Sequence, residues 1–164
     1  MGREILALRP PGAGGPGGSI SHMQTVKFEE ALEQILQRDQ RYHRAAYSFV
    51  QEALNYTQKK VAASGKEEPR HVRGQELLRG LRAYALQEFG PMALTVFHEW
   101  GVRACEDFGE IVFNMVESNF LKKTDEDSRA DFKGGYDFQE AFVQPFLPAR
   151  KISQPEPEPK PTEP

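Results

Sequence analysis

Cys105-Glu106-Asp107-Phe108-Gly109-Glu110-Ile111-Val112-Phe113-Asn114-Met115-Val116-Glu117 is the stretch on which the fold turns. Phe108, Ile111, Val112, Met115 and Val116 recur at the spacing of one helical stripe. Glu106 and Asp107 fall in the first turn, where the helix dipole favours negative charge. No other segment is as apolar along one face, so this helix is expected at the centre of the core.

Working upstream, Met92, Val96, Phe97 and Trp100 make a shorter stripe closed by Gly101. Gly90-Pro91 separates it from a helix over 72–89, whose Leu77, Leu78, Leu81, Ala85 and Phe89 share a face. Glycine suits the position after a helix and proline the first position of the next. Ala46, Phe49, Val50, Ala53, Leu54, Thr57 and Val61 mark an earlier helix, and Phe28, Leu32, Ile35 and Leu36 the first. Thr25 is read as the N-cap of that first helix, and Asp39 as both ending it and opening the next. Ser64-Gly65-Lys66-Glu67-Glu68-Pro69 is a polar loop between helices two and three.

Downstream the pattern changes. Phe120-Leu121-Lys122-Lys123 predicts a short strand, Ala130-Asp131-Phe132 its return, and Gly134-Gly135 a tight turn with positive φ on at least one residue. Asp137, with Glu140 three residues later, predicts an N-capped last helix running through Val143. The fold class is mainly α: about six helices in one compact domain with a small β-hairpin. Three helices followed by a hairpin make the C-terminal half, residues 77–138, winged-helix-like.

Composition sets the boundaries. Residues 1–22 hold six of the 14 glycines and three prolines, too little apolar surface to offset the entropy of ordering them. They carry no signal-peptide pattern, and Ser21-His22-Met23 reads as a junction or extension ahead of a start at Met23. Residues 149–164 alternate proline with charge, as a polyproline-like tail does. The folded domain is therefore expected over 23–148, between a disordered Gly/Pro-rich extension over 1–22 and a disordered Pro/Glu-rich tail over 149–164. One cysteine in 164 residues excludes a disulfide-built fold, and no apolar run is long enough for a membrane span. A cytoplasmic location is expected.

The quoted helix, with Phe89-Gly90-Pro91-Met92, Trp100-Gly101-Val102-Arg103-Ala104 and Asp127-Ser128-Arg129-Ala130-Asp131-Phe132-Lys133-Gly134-Gly135-Tyr136-Asp137-Phe138, resembles a small family of proteins found mainly in Planctomycetes and Verrucomicrobia. The resemblance spans residues 23–148 and implies Met23 as the natural start. It implies no activity and assigns no functional residue.

Charge discriminates between functions. Residues 23–88 carry 11 basic and 9 acidic groups, whereas residues 89–148 carry 5 basic and 11 acidic groups. A DNA-recognition helix needs Lys and Arg to meet phosphates. The helix in that position offers Glu106, Asp107, Glu110 and Glu117, and Lys122, Lys123 and Lys133 in the wing are interrupted by acids. The acidic C-terminal half thus disfavours DNA as a partner, although the topology keeps a winged-helix-like regulator as an alternative.

Arg70, His71 and Arg73, near the start of the third helix, form a candidate anion-binding group, since free N–H groups and the helix dipole point the same way there. A solvated, ion-paired face explains the same residues. Cys105 at a helix N-terminus suggests a nucleophile with His98 or His71 brought close by folding, but Glu106 and Asp107 raise its pKa and favour a structural thiol. No histidine–cysteine spacing of a metal site occurs, and Asp125-Glu126-Asp127 with Asp131 lacks the glycine and terminal glutamate of a calcium loop. No cofactor is expected. Tyr136, Phe138, Phe142 and Phe146 either fold back as a lid or form a docking patch. The reading these features favour is a non-enzymatic protein-binding or adaptor domain, engaging an unidentified protein partner through those aromatics and the acidic face, with an enzyme of dispersed residues as a further alternative.

Overall fold

The quoted segment forms α5 (Cys105–Glu117), and eight of its thirteen residues are buried. Phe108, Ile111, Val112 and Met115 face the interior as their spacing requires. The Asp107 carboxylate caps the helix start, accepting hydrogen bonds from the N–H groups of Arg103 (2.9 Å) and Ala104 (3.1 Å). At the other end Asn119 adopts φ 59°. The N–H of Asn119 reaches the Val116 carbonyl and that of Phe120 the Met115 carbonyl, a Schellman closure of the last turn.

The computed structural model describes residues 19–63, 72–123 and 127–148. In chain order α5 is preceded by α1 (Ser19–Arg38), α2 (Arg44–Ala63), α3 (Gly74–Phe89) and α4 (Ala93–Glu99), and followed by α6 (Phe138–Phe142). Single 3-10 turns occupy Gly90–Met92, Arg129–Phe132 and Gln144–Phe146. The protein is mainly α, and α5 packs against α1, α2, α3 and the Arg129–Phe132 turn. No described helix is long and apolar enough to cross a membrane.

Two of the expected helix boundaries move. α1 starts at Ser19 and runs through Thr25, which is therefore not its cap. The segment after Gly17-Gly18 contains neither glycine nor proline until well past α1, so nothing in it stops the helix. Asp39 ends α1 but does not open α2, which begins at Arg44. Instead the His43 imidazole accepts the Ala45 N–H (3.0 Å), and the His43 N–H donates to the Trp100 carbonyl (3.0 Å). This linker lies against Gly101, whose φ is 83°; a Cβ there would sit 2.3 Å from the Arg41 carbonyl oxygen. Only glycine meets both conditions without strain.

The expected β-hairpin is absent: no strand occurs among the described residues. Phe120 and Leu121 are buried in the turn that closes α5, and both of their N–H groups point at the Met115 carbonyl. Their donors are spent on the helix end, so none is left for a ladder. The expected return strand is the Arg129–Phe132 turn, closed reciprocally by Ser128 and Asp131. The Ser128 hydroxyl accepts the Ala130 N–H, and the Asp131 carboxylate accepts the Ser128 N–H. Without a hairpin there is no wing, and the winged-helix comparison fails with it. Of the polar turn expected over 125–128, residues 125 and 126 lie outside the described residues, as do the loop expected over 64–69 and the tail over 149–164.

Gly134 takes φ 65° as the tight turn requires. The Asp137 carboxylate caps α6 by accepting the N–H groups of Gln139 and Glu140 (2.9 and 3.1 Å), as its spacing predicts. A Cβ on Gly109 of α5 would lie 2.9 Å from the Phe132 side chain, so the small residue lets the strap after α5 lie directly on that helix.

Candidate functional site

The four expected partner-binding aromatics separate on folding. Phe138 and Phe142 are buried, their rings 5.1 Å apart, and both pack on Phe97 of α4. Tyr136 is largely enclosed; its hydroxyl donates to the Leu78 carbonyl at 2.8 Å, and burial holds its pKa far above the usual phenol range. These three form a lid, not a docking patch, because each completes the aromatic core around Phe97. Phe146 alone keeps an open face, at 42% exposure, beside Leu147 at 52%.

The expected acidic face is also largely consumed. Glu110 meets Arg41 (3.2 Å) and Arg129 (3.3 Å), and Glu117 meets Arg129 (3.1 Å) and Arg38 (3.4 Å). Asp107 serves as the α5 cap and accepts the Tyr42 hydroxyl at 2.6 Å. Burial, reinforced by that carboxylate, holds the Tyr42 phenol well above its ordinary pKa. Among the described residues, Glu106 is the one acid of α5 without an ion pair or hydrogen bond to its side chain. A face of negative charge in the sequence is thus a chain of alternating charges in the structure.

That chain surrounds Asn114, a buried amide within the apolar helix. Its Nδ2 donates to the Asp39 carboxylate (3.0 Å) and to the Tyr47 hydroxyl (3.1 Å), while its backbone carbonyl accepts from Arg38 (3.4 Å). Asp39 is clasped by the Arg41 guanidinium at 2.7 and 3.0 Å and by the Arg41 N–H. Hydrogen bonds from Arg41 outweigh desolvation and hold the Asp39 carboxyl far below the usual range. The sequence reading did not single out this network. Its signals were an amide inside the most apolar stripe, and a basic cluster at Arg38, Arg41 and Arg44 opposite an acidic half.

Of the anion-binding candidates, Arg70 and His71 lie outside the described residues. Arg73 sits at the N-cap of α3 and pairs with Glu76 at 3.7 Å, the solvated arrangement weighed against anion binding. Cys105 is buried; its thiol donates to the Tyr136 carbonyl at 3.3 Å, and burial pushes its pKa to about 11. A thiol so protonated is a poor nucleophile at neutral pH. His98 is exposed on α4 and makes no hydrogen bond to that thiol, and His71 is outside the described residues. Asp131 is committed to capping its turn, and no group of three His, Cys, Asp or Glu side chains converges among the described residues. No family model, curated protein or solved structure matches this chain.

Proposed function

We propose that the chain is a non-enzymatic protein-binding domain whose contact edge is Phe146 and Leu147. The observation that carries this reading is the exposure of two adjacent large apolar side chains at the end of a segment whose other aromatics are all enclosed. The acidic face drops out of the reading, since Glu110 and Glu117 are engaged by arginines of the same chain and Asp107 by the α5 cap, which leaves Glu106 as its one unengaged acid on α5 among the described residues. What supports an adaptor over an enzyme is the state of Cys105, the nucleophile weighed for catalysis, which is hydrogen-bonded and deeply protonated.

The test is crosslinking capture with the full chain against a Phe146→Ser, Leu147→Ser double variant. Both side chains are exposed, so the variant should keep the wild-type circular dichroism and melting point. A protein crosslinked by the wild type and lost with the variant supports the edge; identical capture by both removes it.

Duplex DNA is the second reading, favoured by one observation: Lys122, Lys123 and Lys133 are exposed and outside every ion pair among the described residues. Fluorescence anisotropy of a labelled duplex from about 50 to 200 mM salt decides it, because phosphate contacts weaken steeply over that range. Micromolar binding with such a slope would replace the adaptor reading.

A further inference from the structure

Ring contacts link α6, the last helix, to the far end of α2. Phe142 packs on Phe97 at 5.1 Å, and Phe97 on Trp100 at 6.0 Å. From Trp100 a row continues through Phe49 (5.6 Å), Tyr84 (5.4 Å) and Tyr56 (5.3 Å), and the Lys60 Nζ closes it 4.8 Å over the Tyr56 ring. Phe49 is buried beneath the row. Trp100, Tyr84 and Tyr56 are half-buried, as is Phe89, which touches both Phe49 and Trp100.

The two ends of the row carry opposite charge. Glu88 and Glu99 directly precede Phe89 and Trp100, whereas Lys59 and Lys60 lie at the Tyr56 end. All four are exposed and outside every ion pair among the described residues. Between them Glu52 accepts the Tyr84 hydroxyl at 3.0 Å. The sequence beyond Pro148 carries the complementary order: Arg150 and Lys151, then Ile152, then Pro155-Glu156-Pro157-Glu158. Alternating proline favours a polyproline-II course, which advances about 3.1 Å per residue and puts Arg150 and Glu156 roughly 19 Å apart. That is close to the length the four steps from Trp100 to Lys60 allow.

We propose that this row is the docking site of the chain's own segment 150–158. Arg150 and Lys151 meet Glu88 and Glu99, and Ile152 packs on Phe89 and Trp100. Pro155 and Pro157 stack on Tyr84 and Tyr56, with Glu156 and Glu158 against Lys59 and Lys60. Aromatic-lined surfaces recognise proline-rich segments because a preformed polyproline-II helix loses little entropy on docking. Three features select this occupant: the order of its charges, its reach, and its attachment to α6, whose Phe142 shares Phe97 with Trp100. The row lies apart from the Phe146–Leu147 edge, so its failure and the failure of the proposed function are independent.

The experiment places a nitroxide on Ser153→Cys in the full chain and reads the broadening of amide NMR signals. Cys105 stays unlabelled, because its thiol is buried and protonated. Broadening is expected at Glu52, Tyr56, Tyr84 and Glu88, and not at Glu117 or Asn119 at the end of α5. Lys59→Glu with Lys60→Glu should abolish it, as should Glu156→Lys with Glu158→Lys, and the two pairs combined should restore it. Broadening spread evenly over the surface, or indifferent to the tail reversal, would overturn the proposal. So would broadening of an isotope-labelled chain without nitroxide when mixed with the nitroxide-labelled chain, which assigns the segment to a second copy. The tail reversal leaves α2 untouched, so it keeps the test decisive should the lysine reversal fray the end of that helix.

Discussion

α5 meets two kinds of neighbour along its length, and they are held by different physics. On one flank Phe108 packs against Phe97 and Phe138, within a cluster where Phe97 touches Phe49, Phe89, Trp100 and Phe142 at centroid separations of 5.1–6.3 Å. On the other, Asn114 joins Asp39 and Tyr47, with Arg38, Arg41, Glu110, Glu117 and Arg129 outside them. Apolar burial is non-directional and grows with area. The polar flank is directional: each donor has a specific acceptor, and removing one strands another. The comparison teaches that the first flank carries most of the stability and the second fixes how α1 and α2 sit on α5.

Phe97→Ala attacks the aromatic flank at its hub and should cost about 3–5 kcal/mol, the range for emptying a buried phenylalanine site. Urea denaturation measures it; a loss under about 1 kcal/mol would mean these rings do not act as one packed unit. Asn114→Ala attacks the polar flank and should cost about 1–3 kcal/mol by leaving Asp39 and Tyr47 short of a donor. A double-mutant cycle with Tyr47→Phe sharpens it, because a shared hydrogen bond makes the combined loss smaller than the sum.

Acid should separate the flanks next. Arg41 holds the Asp39 carboxyl below its ordinary pKa, so the folded state releases that proton more readily than the unfolded chain does. The stability it contributes is therefore present above about pH 4 and lost as pH falls below that. Melting temperatures from about pH 7 to pH 2 should show a descending acid limb that Asp39→Asn flattens. An unchanged limb would assign acid sensitivity to other carboxylates.

The smallest effect is expected at the rim. Arg129→Gln removes contacts to Glu110 and Glu117, yet all three side chains are partly exposed, so the cost should stay within about 1 kcal/mol and shrink in salt. Its guanidinium also lies over the Phe113 ring at 5.3 Å, so a loss that persists at high salt would show that packing, not charge, holds it there.

The helices were legible wherever a stripe or a cap is written in neighbouring residues. Leu77, Leu78, Leu81 and Ala85 share a buried face because 3.6-residue periodicity is local, and Asp137 caps α6 because its acceptor reaches N–H groups two and three residues on. The hairpin was misread at Phe120 and Ala130. Apolar residues after a helix look alike whether their N–H groups join a ladder or turn back to close the helix, and Asn119 in a left-handed conformation selected the second course. Tyr136, Phe138 and Phe142 were recognised as candidates, but spacing carries no information on whether an aromatic faces a core or a partner.

The sequence by itself determined the mainly helical class, the six helical segments and the apolar stripe of α5, since these follow from periodicity, glycine–proline punctuation and capping within a few residues. Only the tertiary structure decided that the acids of Glu110 and Glu117 are neutralised by Arg38, Arg41 and Arg129, that Asn114 is the pin between Asp39 and Tyr47, and that Phe146 and Leu147 stay exposed. Each of those outcomes joins residues far apart in the chain, or depends on what lies over a surface. Charge pairing and burial are set by distance in space, and a linear order of residues does not contain it.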